Sequence, residues 1–256
     1  MQPVKIILSG CSGKMGRAIT ELAQTRQDIS ITAGIDKFPS SCGYPVFADF
    51  KDINITGDVI IDFSRPDMLP SLLEYALKHN TPAVLATTGY SNEALNQIKL
   101  ASGSIPIFMS GNMSLGVNLM LSLLKTATKI LKNTFDIEII EKHHNQKVDA
   151  PSGTALMMAQ AINDAAGGDM QYIYDRHVLS QKRQKDEIGI HSVRGGTIVG
   201  EHTVIFAGTD ECLEITHSAQ SRGIFAAGAL SAAKFLCGKT PGSYNMDDLI
   251  AESENT

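Results

Sequence analysis

The chain has 256 residues, enough for one large core or two modest ones, and 43% hydrophobic with 19% charged residues is ordinary globular composition. A formal charge of −5 speaks against a broad phosphate-neutralising face, so nucleic acid is not an expected partner, although one basic cleft for a small anion is still allowed. No apolar run approaches the roughly eighteen residues of a membrane span and the first residues lack a signal-peptide core, while Cys11, Cys42, Cys212 and Cys237 show no CxxC spacing; together these point to the cytoplasm and away from a zinc motif.

In chain order, VKIILSG (4–10) is an apolar run stopped by glycine and reads as a buried strand. KMGRAITELAQ (14–24) has apolar residues at 15, 18, 19, 22 and 23, one face of a helix. ISITAGID (29–36), DVIIDFS (58–64) and PAVLATTG (82–89) read as strands, with PDMLPSLLEYALKHN (66–80) as a helix between the last two. NEALNQIKLAS (92–102) and IPIFMS (105–110) add a helix and a strand. This alternation predicts an α/β fold with a doubly wound parallel sheet.

At Asn112 the texture changes. LGVNLMLSLLKTATKILK (115–132) is a long amphipathic helix, and FDIEIIEKHH (135–144) alternates like a half-buried strand. Residues 188–219 read as antiparallel strands joined at Gly195-Gly196 and around Gly208-Thr209-Asp210. A second, mixed α/β domain is therefore expected. RGIFAAGALSAAKFLCG (222–238) is a helix able to return to the first domain, so the expected division is 1–114 plus 219–256 for a dinucleotide-binding domain and 115–218 for a substrate domain. AESENT (251–256) reads as a fraying end.

Gly10-Cys11-Ser12-Gly13-Lys14-Met15-Gly16 is a GxxGxxG turn that follows a strand and opens a helix. Such glycines let the backbone approach a pyrophosphate at a helix N-terminus, and Arg17 adds charge. Asp36 ends the second strand twenty residues after Gly16, where an acid can accept from ribose hydroxyls, although a turn aspartate would look the same. Lys37 beside it can meet a 2′-phosphate, so NADH and NADPH are both expected cofactors. The loops Ala86-Thr87-Thr88 and Gly111-Asn112-Met113 follow later strands, at the carboxyl edge where open α/β sheets hold ligands.

The segment EKHHNQKVDAPSGTA (141–155) concentrates charge ahead of a helix start. Ser152 is a natural N-cap, and the amides of Gly153 and Thr154 with the Thr154 hydroxyl make a carboxylate cradle. His144 and Lys147 can serve a second anionic group, which suits a dianionic small molecule. His143 and Lys147 are the candidates for proton transfer. Asp149 reads as a structural acid, and two adjacent histidines without a third ligand at helical spacing do not make a metal site.

Glu141-x-His143-His144-x-x-Lys147-Val148-Asp149-Ala150-Pro151-Ser152-Gly153-Thr154-Ala155 closely resembles the signature of bacterial 4-hydroxy-tetrahydrodipicolinate reductases, long called dihydrodipicolinate reductases. GCSGKMGR, IDFSRP, ATTGY, SGNMSLGVN, VRGGTIVGEHTVIF and EITHSAQSRGIFAAGAL resemble that family's segments in order, over essentially the whole chain. Ala86 departs from the glycine that many relatives carry there, and the Asp36-Lys37 pair leaves cofactor preference open. The resemblance implies reduction of dihydrodipicolinate to tetrahydrodipicolinate by NADH or NADPH in the diaminopimelate route to lysine. It also implies a Rossmann domain and a mixed domain whose sheet assembles a homotetramer. By the same resemblance, the loop from Gly10 to Met15 cradles pyrophosphate, Asp36 holds ribose, and the 86–88 and 111–113 loops border the nicotinamide. His143 and Lys147 supply the proton, and His144, Gly153 and Thr154 bind carboxylates. Two rival readings are another NAD(P)-dependent oxidoreductase, which would not need the 143–154 segment, and a dinucleotide sensor without catalysis.

Overall fold

The computed structural model describes residues 2–38 and 42–254. In chain order the elements are β1 (Val4–Ser9), α1 (Lys14–Gln24), β2 (Ile29–Ile35), β3 (Val46–Phe47), β4 (Val59–Asp62), α2 (Leu69–His79), β5 (Ala83–Leu85), α3 (Asn92–Ser102), β6 (Pro106–Met109) and α4 (Leu115–Leu131). Next come β7 (Asp136–His143), α5 (Gly153–Ala166), β8 (Gln171–Ile173), α6 (Arg176–Leu179), β9 (Glu187–Arg194), β10 (Gly200–Ala207) and β11 (Cys212–Ala219). The chain closes with α7 (Gly223–Leu236), β12 (Gly242–Tyr244) and α8 (Met246–Glu254). Two compact units result: one takes the chain through Leu115 and again from Arg222, the other is Gly116–Ser221.

In the first unit seven strands lie in the order β3-β2-β1-β4-β5-β6-β12, each parallel to its neighbours. Side-chain alternation explains why the central strands are continuously apolar. Ile6 and Leu8 enter a core with Ile19 of α1 and Ala226, Ala229 and Leu230 of α7, whereas Ile7 enters the opposite core with Leu72 of α2 and Ile98 of α3. Each fully buried aliphatic side chain contributes about 1.5–3 kcal/mol. The small residues of α7 admit close backbone approach: a Cβ added at Gly228 would lie 1.6 Å from the Met113 carbonyl oxygen. The strand order reverses between β1 and β4, which defines the ligand-binding edge of such sheets.

The segment expected to fray, 251–256, begins within the last helix. Residues 251–254 continue α8, while 255–256 lie outside the described residues. Reciprocal bonds from Asp247 N to Asn245 Oδ1 (2.7 Å) and from Asn245 N to Asp248 Oδ2 (2.8 Å) cap this helix, and Met246 and Leu249 anchor it in the core.

The second unit is a five-stranded mixed sheet in the order β11-β10-β7-β9-β8, with β10 antiparallel to β7 and β11, and β9 parallel to β7 and β8. The expected hairpin across Gly195-Gly196 does not form, because β7 lies between β9 and β10. The connection instead wraps the end of β7: Gly195 N donates to His143 O (2.9 Å) and Asn145 N donates to Gly196 O (3.2 Å). The second expected turn does join neighbours, β10 and β11. Val117, Met120 and Leu124 of α4 and Met158 and Ile162 of α5 cover one sheet face, packing on Ile137, Ile139, Ile188, Ile190, Val204 and Phe206. Among the described residues, no helix is long and apolar enough to cross a membrane.

Candidate active site

At the β1–α1 turn Gly10 has φ +78°, and a Cβ there would lie 2.6 Å from the Phe63 carbonyl oxygen. At Gly16 a Cβ would lie 2.3 Å from the Gly10 carbonyl oxygen. Both positions therefore require glycine. Gly10 N and Cys11 N donate to Ile35 O at the end of β2 (2.8 and 3.4 Å), and Gly13 N donates to Gly10 O (3.1 Å). Gly13, the N-cap of α1, offers no side chain to the helix, so the amino end of α1 suits an anion.

The turn opens on a cavity of about 460 Å³ whose lining includes Gly10, Ser12, Gly13, Arg17, Asp36 and Lys37, together with Ser64, Arg65 and Asp67 from the chain after β4. Asp36 is already engaged: its Oδ2 accepts from Ser12 N and its Oδ1 from Phe38 N, both at 3.0 Å. Lys37 pairs with Asp67 at 3.1 Å on the exposed rim. Lys14 is exposed and Met15 half-buried against the core. Cys11 is fully buried, and burial pushes its thiol up to about 12, so only its backbone borders the turn. The glycine cradle, the cavity and the acid at the end of β2 fit a dinucleotide. Arg65, which the sequence reading did not single out, adds a third cation to Arg17 and Lys37.

The later loops are organised around a buried carboxylate that the sequence reading also missed. Asp62, 1% exposed at the end of β4, accepts from Thr87 Oγ1 (2.7 Å), Ser64 Oγ (2.5 Å) and Tyr90 OH (3.4 Å). It thereby ties the loop after β5 to the switch point, with Ala86 N held on Asp62 O (3.0 Å). Burial, and secondarily Asp62, raises the Tyr90 phenol far above its usual value. Thr88 and Gly111 are exposed, whereas Asn112 is buried and accepts from Ser114 N at 2.9 Å. The Met113 side chain lies in the core, so that residue too can offer only backbone.

In the second unit the period of two places 137, 139, 141 and 143 on the core face of β7, and the last two are polar. Glu141 is fully buried. Its Oε2 accepts from Arg194 Nη1 (2.7 Å) and is bonded to His143 Nδ1 (2.6 Å); its Oε1 accepts from Arg194 Nη2 (2.7 Å) and Ser152 N (3.1 Å). Burial drives this carboxyl upward, but the Arg194 and His143 bonds outweigh it and hold its pKa down at about 2. His202, opposite Glu141 in register, meets the His143 ring edge-on at 5.1 Å and bonds Ser152 Oγ at 2.9 Å.

Ser152 caps α5 by accepting from Ala155 N (3.2 Å) and, hydrogen-bonded to His202 as well, is 2% exposed. Gly153 and Thr154 precede the first i→i−4 bond of α5, from Leu156 N to Ser152 O, and a Cβ at Gly153 would meet nothing within 4 Å. The helix entrance is thus open at Gly153. His144 is half-buried, and a turn from Lys147 N to His144 O (3.1 Å) brings Lys147 back, where its Nζ pairs with Asp149 Oδ1 at 2.9 Å. This pairing, led by Lys147, lowers the Asp149 carboxyl. The structure therefore gathers His143, His144, Lys147, Ser152, Gly153 and Thr154 at one end of the second sheet, and adds Glu141, Arg194 and His202. Among the described residues no three His, Cys, Asp or Glu side chains converge as a metal site.

A parallel sheet with a glycine cradle at its switch point, in one chain with a unit that gathers two histidines and a lysine near a helix entrance, fits a Rossmann-type NAD(P)H-dependent oxidoreductase. The family described as "Dihydrodipicolinate reductase, N-terminus" matches residues 4–113, and "Dihydrodipicolinate reductase, C-terminus" matches residues 116–250. A 4-hydroxy-tetrahydrodipicolinate reductase of Clostridium tetani is 54% identical, over 96% of this chain and 97% of that one. The enzyme of that name from Caldanaerobacter subterraneus subsp. tengcongensis is 51% identical, over 96% and 98%. A solved structure of a dipicolinate-bound dihydrodipicolinate reductase from Paenisporosarcina sp. TG-14 superposes with a TM-score of 0.82 at 25% identity, over 95% of this chain and 97% of that one. The chain belongs to the dihydrodipicolinate reductase family.

Proposed function

We propose that this chain reduces 4-hydroxy-tetrahydrodipicolinate (dihydrodipicolinate) to tetrahydrodipicolinate with NADH or NADPH, in the diaminopimelate route to lysine. The observation that carries the proposal is the helix entrance at Gly153 and Thr154 beside His143, His144 and Lys147. It offers anion donors and acids to one small molecule, and the dipicolinate bound by the Paenisporosarcina relative is a dicarboxylate of that size. Family membership over the whole chain supports the same reading.

The Gly10–Met15 turn cradles pyrophosphate, Asp36 takes the ribose, and Lys37 with Arg17 and Arg65 meets a 2′-phosphate when NADPH is used. The 86–88 and 111–113 loops border the nicotinamide. When bound, the reduced nicotinamide would supply a hydride to the conjugated C=C–C=N system that the substrate presents once its 4-hydroxyl has left as water. Gly153 and Thr154 amides hold one carboxylate, His144 the other, and Ser152 keeps the cradle in shape as cap. Lys147, half-buried and poised against Asp149, donates the proton that completes the reduction, with His143 assisting. Residues 116–221 form the substrate-binding unit and 2–115 with 222–254 the cofactor unit.

By alternation the sheet face opposite α4 and α5 is mixed, carrying Ile140, Val193 and Ile205 among Glu138, Lys142, His191, Glu201 and Thr203; assembly into a homotetramer is proposed from the family resemblance. Four free cysteines suit the reducing cytoplasm. Replacing Lys147 by Ala is the test of the site: kcat should fall roughly 10²- to 10⁴-fold in a folded protein. A kcat within a few-fold of the parent removes Lys147 from the chemistry.

A further inference from the structure

Glu141 is fully buried, and its carboxylate meets Arg194, His143 and Ser152 of the site together with the Ser192 side chain. Arg194 grips both oxygens in a bidentate fork and donates from the same guanidinium to Asp149 O (2.7 Å) and Val193 O (2.8 Å). Asp149 is the residue that pairs with Lys147. The remaining acceptor capacity of Glu141 goes to His143 Nδ1, Ser152 N and the Ser192 side chain. One carboxylate therefore joins the imidazole, the cap of the carboxylate cradle and, through Arg194, the loop that carries Lys147.

A carboxylate already ionised by its contact with Arg194 can only accept, so the atom at 2.6 Å must be a protonated Nδ1. That fixes the imidazole: in its neutral form Nε2 is the unprotonated nitrogen, and in its charged form Nε2–H is the acid. Gly200 leaves the space that the ring occupies, since a Cβ there would lie 3.0 Å from Nε2.

We propose that Glu141 and Arg194 are a positioning pair that locks the tautomer and orientation of His143 and sets the Lys147 loop against it. The proposal rests on the reading above, in which His143 and Lys147 supply the proton. The titratable and charged groups facing His143 are Glu141 on its own strand, Arg194 from β9, His202 from β10 with His217 behind it on β11, and Lys147 with Asp149 from the following loop.

The test uses the full-length protein labelled with ¹⁵N-histidine, with His143 assigned by its loss in His143→Gln. At about pH 9, above histidine's ordinary value near 6.5, the proposal requires a proton on His143 Nδ1, whether the ring is neutral or charged. In Glu141→Gln, which keeps the shape but not the charge, kcat should fall roughly 10- to 100-fold with KM within a few-fold. The alkaline limb of the kcat profile, where a required proton donor is lost, should move to lower pH, because the carboxylate anion bonded to His143 is gone. A neutral His143 protonated only on Nε2, or a Glu141→Gln enzyme with the parent's profile, overturns the positioning role. Should Glu141→Gln fail to fold, the parent spectrum alone decides. A His143→Gln enzyme with undiminished kcat overturns the proton-supply reading itself, an outcome distinct from failure of the pair.

Discussion

His202 gives the second unit a sharp sensitivity to acid. The ring is 4% exposed, and its Nε2 is hydrogen-bonded to Ser152 Oγ, which also caps Ala155 N. Burial, with the neighbouring His143 adding to it, pulls its pKa from 6.5 down to about 4. The folded value lies below the unfolded one, so the unfolded chain takes up this proton first. Stability is complete above about pH 6.5 and is lost as pH falls toward 4. A fall of that size, at about 1.4 kcal/mol per unit, amounts to about 3 kcal/mol. Glu141, depressed from 4.5 to about 2, acts in the same direction in a lower window: its contribution is present above about pH 4.5 and disappears as pH falls toward 2. In His202→Gln the amide still reaches Ser152 but cannot titrate. The chain has no tryptophan, so guanidinium unfolding is followed by circular dichroism, at about pH 7 and about pH 4.5. The parent should lose about 2–3 kcal/mol more than the variant between the two. Parallel losses would refute the assignment of acid sensitivity to His202.

At the nucleotide turn, Gly16→Ala sets a Cβ 2.3 Å from the Gly10 carbonyl oxygen, an overpacking worth about 1–3 kcal/mol that the turn must absorb. NADH should bind roughly 5- to 150-fold more weakly by fluorescence titration, and an unchanged Kd would contradict the cradle. Asp36→Ala removes the acceptor for Ser12 N and Phe38 N while Arg17, Lys37 and Arg65 persist in the same cavity. The ratio of kcat/KM for NADPH over NADH should rise, and a ratio equal to the parent's would take Asp36 out of ribose recognition.

Long periodic elements were legible in the sequence because their burial pattern is local. The apolar spacing of 14–24 marks α1 with its observed ends, and the alternation of 135–144 marks β7. Elements of two or three residues such as β3, β8 and β12 carry too few side chains for a period, and they form because a neighbouring strand offers its edge. The mispaired hairpin has a related cause: adjacency in sequence favoured β9 beside β10, whereas β7 had two ladders to fill and its buried Ile137 and Ile139 belong mid-sheet. At the site, the sequence concentrates His143, His144 and Lys147 in five residues. Their governing partners, Arg194 and His202, come from strands more than fifty residues later, and only register brings them to Glu141. Asp62 was hidden for the same reason, since its partners Thr87 and Tyr90 follow the next strand.

The central claim is turnover, and it is tested most directly by giving the protein the product of the preceding synthase and following loss of NADH and, separately, of NADPH absorbance. The account predicts that the reduced cofactor is consumed in step with the cyclic dicarboxylate, and that turnover collapses in Lys147→Ala. Tight cofactor binding with no oxidation when the dicarboxylate is supplied would contradict it, and would mark the chain as a dinucleotide-binding protein without this chemistry.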